Sequence, residues 1–163
     1  MEPVWKRMGH ALREQGWKVA ECGPSVSALP DCVKMRYPGR PAAWLEFLER
    51  FSCCVNPSET VWLFCAGEFQ PQEANGFSWD ELERVSLQAA DSGGEAWQES
   101  IRQFWDNHLP IGLSVGGAYG YYAIRMSDGA VVRGFEPEFE ETEELAPSFR
   151  QFAEAIGAGE LRL

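Results

Sequence analysis

The sequence is poor in positive charge and in histidine. Fourteen Lys and Arg stand against twenty-five Asp and Glu, a formal net charge of −11. Phosphate recognition runs on clustered Lys and Arg, so this balance argues against a nucleic-acid partner. It fits a basic protein partner, whose encounter an acidic surface accelerates. The histidines are His10 and His108 alone, and neither has a Cys or Ser nucleophile motif beside it. Both are expected to have surface or structural roles, and the chain is not expected to be an enzyme.

Long apolar runs are missing too. Val61 to Ala66 falls far short of the roughly 20 residues that a spanning helix needs. No apolar run follows Lys6 and Arg7, so no signal peptide is visible. A cytoplasmic protein without membrane association is therefore expected. Cys22, Cys32, Cys53, Cys54 and Cys65 are odd in number and lack the paired C-x-x-C spacing of a zinc site. They are expected to be reduced, mostly buried thiols, with no metal site. Gly112, Gly116, Gly117 and Gly120 lack the Gly-Lys-Ser/Thr ending of a phosphate loop, and no cofactor is expected.

What the chain does have is core-forming material. Its 163 residues are 45% hydrophobic and 13% aromatic, enough for a single domain over residues 1–163. Val4, Met8, Ala11 and Leu12 are spaced as a helix that Gly16 can end. Trp17 to Ala20 reads as a short strand, and Gly23 to Pro41 as an irregular connection. Ala43, Trp44, Phe47, Leu48 and Phe51 mark one face of a helix starting near Pro41. Thr60 to Cys65, apolar on both faces, reads as a central strand.

Between Gly76 and Gly94, Ser78 followed by Glu81 forms a capping box ahead of the stripe Trp79, Leu82, Val85, Ala89. A second helix over Glu95 to Asn107 carries Trp97, Ile101, Phe104 and Trp105, all expected in the core. The period then changes. Ile111 to Val115, Tyr119 to Met126 and Ala130 to Phe135 read as strands, the last two joined as a hairpin through Asp128-Gly129. Ser148 and Gln151 cap a closing helix on Phe149, Phe152, Ala153 and Ile156, with Gly157 placed to end it. The fold class is α+β, with a mainly antiparallel or mixed sheet of roughly four to six strands flanked by helices.

Between hairpin and closing helix lie Glu136, Glu138, Glu140, Glu141, Glu143 and Glu144, without a Lys or Arg among them. The run lacks the Asp/Asn alternation and central Gly of a calcium loop, and glycoside hydrolysis would need a second carboxylate across a cleft. It reads either as a solvated charged edge with a short edge strand or as part of a protein contact. As a contact it would steer a basic partner, with Tyr119, Tyr121 and Tyr122 nearby as anchors. If one sheet face is covered, alternation leaves at least one of these rings away from the core.

The order of motifs over residues 109–156 is distinctive. A Tyr-rich strand (Tyr119 to Ile124), the Asp-Gly hairpin and Val131-Val132 come first. Gly134, Pro137-Glu138-Phe139-Glu140-Glu141, Ala146 and Ser148-Phe149 follow, leading into the last helix. This pattern resembles the SUKH superfamily, immunity proteins together with yeast regulators of cell-wall assembly. Cys53-Cys54-Val55-Asn56 stands where many members carry an Asn-Gly-Gly-like segment. The resemblance implies helices packed around a mixed or antiparallel sheet, and a non-catalytic, cytosolic protein-binding domain. An immunity protein would neutralise a secreted toxin, here a basic toxin domain. The alternative is a regulatory or scaffold domain that binds cellular proteins. The expected contact residues are the six glutamates with Tyr119 and Tyr121, in a monomer or weak dimer.

Overall fold

A computed structural model describes residues 2–22, 28–71 and 78–163. In chain order the elements are helix α1 (Val4–Glu14), strand β1 (Lys18–Glu21), helices α2 (Asp31–Arg36) and α3 (Ala42–Arg50), and strands β2 (Phe51–Val55) and β3 (Val61–Leu63). A 3-10 turn (Ala66–Phe69), helices α4 (Glu81–Ala89) and α5 (Glu95–Asp106) and strand β4 (His108–Ser114) come next. Strands β5 (Gly120–Arg125), β6 (Val131–Phe135) and β7 (Glu143–Ala146) and helix α6 (Phe149–Gly157) complete the chain. The described strands form one seven-stranded sheet in the order β1-β2-β3-β4-β5-β6-β7, each antiparallel to its neighbour. The α+β class and the antiparallel sheet are thus as expected, and the sheet is larger than expected.

The additional strand is β2. Phe51 is the first residue of that strand and not the last of a helical stripe: its ring stands 5.2 Å from that of Phe47 on α3, and both are buried. Helix α2 was likewise not legible. Its six residues lie between Pro30 and Pro38, inside the stretch read as irregular. Gly23 to Ser27 of that stretch lie outside the described residues, as do Gly76 and Phe77 ahead of α4.

Strand β4 begins at His108, through Pro110, not at Ile111. Pro110 has no N–H to give the ladder, and the register shifts between Pro110 and Gly112. That irregularity lets a proline sit in an inner strand. Helix α4 also starts later than its sequence signal. Ser78 Oγ donates to the Asp80 carboxylate, and Asp80, not Ser78, stands at the N-cap. Ser148 does cap α6, accepting from the Gln151 N–H. Gly157 is the last residue of that helix and not its capping glycine: Ala158 is the C-cap, and Gly159, at φ +75°, follows it, with Glu160 N–H donating to the Ala155 carbonyl.

Helices lie on both faces of the sheet. Helices α1, α3 and α6 bury Trp5, Met8, Trp44, Phe47, Phe149 and Phe152 against one face. On the other, α4 and α5 cover β4 to β6 with Ala90, Ile101 and Trp105, against Tyr121, Ala123 and Val132. Arg36 ties the two layers together, donating to both Glu83 oxygens at 2.8 and 2.6 Å and to Asp106 at 2.8 Å. Trp97 is not in the core: it is 50% exposed on α5, against the backbone of Gly93.

Candidate functional site

Trp62, Leu113, Tyr121 and Gly134 stand opposite one another across β3, β4, β5 and β6, so the side chains of Trp62, Leu113 and Tyr121 share the face on which α4 and α5 lie. Over Tyr121 the cover is complete: Trp105 lies edge-on at 4.8 Å between ring centroids. Over Trp62 and Leu113 the described residues leave a cleft of about 960 Å³. Its floor is Trp62, Leu113 and Val115. The start of α4 walls one side with Glu81, Leu82 and Val85. Glu68, Tyr119 and Glu136 stand around it.

Local geometry fixes these rim groups. Tyr119, just before β5, and Glu136, just after β6, continue the ladder. The Glu136 N–H donates to the Tyr119 carbonyl at 2.8 Å, and the Tyr119 N–H donates to Glu136 Oε1 at 3.1 Å. The Tyr119 ring is left 51% exposed. Glu68 Oε2 accepts from the Cys65 N–H at 3.0 Å, which orients its carboxylate. Burial pushes the Glu68 carboxyl above its ordinary value, and the backbone donors oppose that rise. Among the described residues the cleft is lined by three glutamates and by no Lys, Arg or His.

The glutamate run is held by the one apolar residue inside it. Phe139 turns inward, with ring centroids 5.9 Å from Tyr121 and 6.3 Å from Trp105, and its carbonyl accepts from the Tyr121 hydroxyl. With Phe139 buried, its neighbours Glu138, Glu140 and Glu141 face solvent. Glu143 and Glu144, on β7, are paired: Arg133 donates to Glu143 at 2.7 Å, and Arg125 to Glu144 at 3.0 Å. The run has no basic residue in sequence, but the neighbouring strands supply two across the sheet edge. Glu138, Glu140 and Glu141 have no ion pair among the described residues.

Of the expected tyrosine anchors, Tyr119 is on the surface and Tyr121 is not. Tyr121 is 2% exposed beneath α5, and Tyr122 is buried on the opposite face. Of the three rings, Tyr119 is the one that lies away from the core, and Tyr121 and Tyr122 are buried on opposite faces because helices lie on both. Tyr121 positions the glutamate turn instead of presenting a surface. Trp62, Glu68, Glu81 and Val85 were not singled out as site residues. Their signal in the sequence was ambiguous, because an aromatic in an apolar strand and a valine on a helical stripe read first as core.

His108 is buried, stacked on Phe104 at 4.0 Å, and its Nδ1 lies 2.7 Å from the Phe104 carbonyl. His10 is exposed on α1 beside Glu14. Cys54 and Cys65 are buried, Cys22 and Cys53 half-buried, and Cys32 exposed, all as free thiols. Among the described residues no helix is long and apolar enough to cross a membrane, and no group of three or more His, Cys, Asp or Glu could hold a metal. Family models, curated proteins and solved structures contain no match to the chain.

Proposed function

We propose that this chain is a non-catalytic, protein-binding domain for a basic partner, and specifically a SUKH-like immunity protein that blocks a cognate toxin in the cytosol by occlusion. The observation that carries the binding reading is the turn around Phe139. A buried aromatic anchors it, and the carboxylates of Glu138, Glu140 and Glu141, which have no ion pair among the described residues, are held on its outer side. Like charges gathered at a surface create a local negative potential. They raise the association rate with a cationic protein and lose that advantage as salt screens them. The immunity reading adds the order of motifs over residues 109–156 and the net charge of −11.

Co-expression with the toxin domain encoded beside this chain is expected to restore growth of the producing cell. Glu138→Gln together with Glu141→Gln should slow association at low salt and flatten its salt dependence, leaving the fold intact. No rescue by any neighbouring toxin domain, with capture of several unrelated cellular proteins, would replace immunity with a regulatory scaffold role.

A further inference from the structure

The cleft over Trp62 and Leu113 lies apart from the outer side of the glutamate turn, and its chemistry is different. Its floor and α4 wall are apolar, with Val85 44% exposed where a helix of a closed core would be covered. Around that apolar floor stand Glu68, Glu81 and Glu136, and no cationic side chain of the described chain lines it. The nearest compensation for Glu81 is Arg84, at 3.7 Å and itself well exposed. Glu136 and Glu68 accept from backbone N–H groups and carry no ion pair among the described residues.

A carboxylate beside an apolar wall is best satisfied by a cation whose stem is itself apolar. Lys and Arg have that form, with a hydrocarbon stem for the wall and a charged head for the rim. An aromatic floor adds attraction for the same head. An open cleft also admits a main chain, which a small closed cavity would not.

We infer that this cleft receives an extended segment of the partner protein. An apolar side chain of that segment sits on Trp62 and Leu113, and an adjacent Lys or Arg reaches Glu81 and Glu136. The inference rests on the protein-binding reading and deepens it: the outer glutamates set how fast the partner arrives, and the cleft sets how long it stays. Long-range charge acts mainly on association, whereas a desolvated anchor acts mainly on dissociation.

The test is a titration of the isotope-labelled protein, followed by amide NMR, with acetyl-Leu-Arg-Leu-Arg-amide and with the same peptide carrying citrulline in place of arginine. Saturable shifts are expected at Trp62, Glu81, Val85, Leu113 and Tyr119. Binding should weaken roughly tenfold or more with citrulline, which keeps the shape and removes the charge. Val85→Arg, at an exposed helix position, should abolish the shifts while the circular dichroism spectrum is unchanged. Equal binding of the citrulline peptide, shifts confined to Glu138–Glu144, or no saturable shift would each overturn the inference. So would a concentration-dependent dimer of the protein alone that Val85→Arg dissolves, since the occupant would then be a second copy. In the complex with the captured partner, Val85→Arg should raise the dissociation rate. An unchanged rate there would sink the cleft while leaving the binding reading standing, and absence of any partner would sink the binding reading itself.

Discussion

Glu83 shows how a charged residue can be structural in an acidic protein. It is 8% exposed, on the inner side of α4, and accepts two hydrogen bonds from Arg36, whose third goes to Asp106. Glu83→Gln removes the charge opposite Arg36 and leaves only Asp106 to compensate it, so it should cost on the order of 1–3 kcal/mol in urea unfolding. Glu143→Gln, which breaks an exposed pair at the sheet edge, should change stability by less than about 1 kcal/mol. His108 gives a pH dependence. Burial holds its pKa below the ordinary imidazole value, and the bond to the Phe104 carbonyl only partly offsets that. The unfolded chain therefore takes up a proton that the folded chain refuses. Its contribution to stability is complete above the unfolded pKa, near about 6.5, and declines as the pH falls below it toward the folded pKa. An NMR titration of the His108 ring should give a midpoint below about 6.5; a midpoint above it would show the ring to be solvated or paired.

At the scale of elements, β5 and β6 carry the arrangement that holds the glutamate turn. A methyl group on Gly134 would lie 2.6 Å from the Tyr121 hydroxyl oxygen and 2.8 Å from its ring. Trp105 and Phe139 confine that ring, so it cannot step aside. Gly134→Ala should thus destabilise by about 1–3 kcal/mol, as overpacking does, and alter the near-ultraviolet circular dichroism of the Trp105–Tyr121–Phe139 group. Wild-type-like spectra and stability would show that the turn is not held through Tyr121. The hairpin at Asp128-Gly129, the Ser148 cap and the closing helix were legible because each is a local signal. Gly129 supplies a φ of +81°, and Asp128 accepts from the Ala130 N–H. Strand β2 was not legible, since Phe51 continues the spacing of α3 while already paired with Glu21. Of the candidate site, Tyr119 and Glu136 could be picked out because they flank a hairpin in one stretch of sequence. Trp62, Glu68 and Glu81 come from β3, the 3-10 turn and α4. Only the sheet register and the partial cover of its second face bring them together.

The whole molecule is an acidic body whose negative charge is unevenly compensated. Arg36, Arg125 and Arg133 are committed to Glu83, Asp106, Asp128, Glu143 and Glu144. The turn at Glu138–Glu141 and the rim of the cleft remain as carboxylate surfaces. An electrostatic surface of this kind favours a partner of opposite charge and makes the encounter rate sensitive to ionic strength, because exposed charges are screened over a Debye length of about 8 Å at physiological salt. The measurement that bears most directly on the binding account is affinity capture of the tagged chain from its native host, with identification of what is bound and a salt titration of the complex. The account predicts one predominant basic protein, whose association rate falls as salt rises and falls less steeply for the Glu138→Gln, Glu141→Gln variant. Capture of nothing at low salt, or of a partner whose association is indifferent to salt and to that variant, would contradict it.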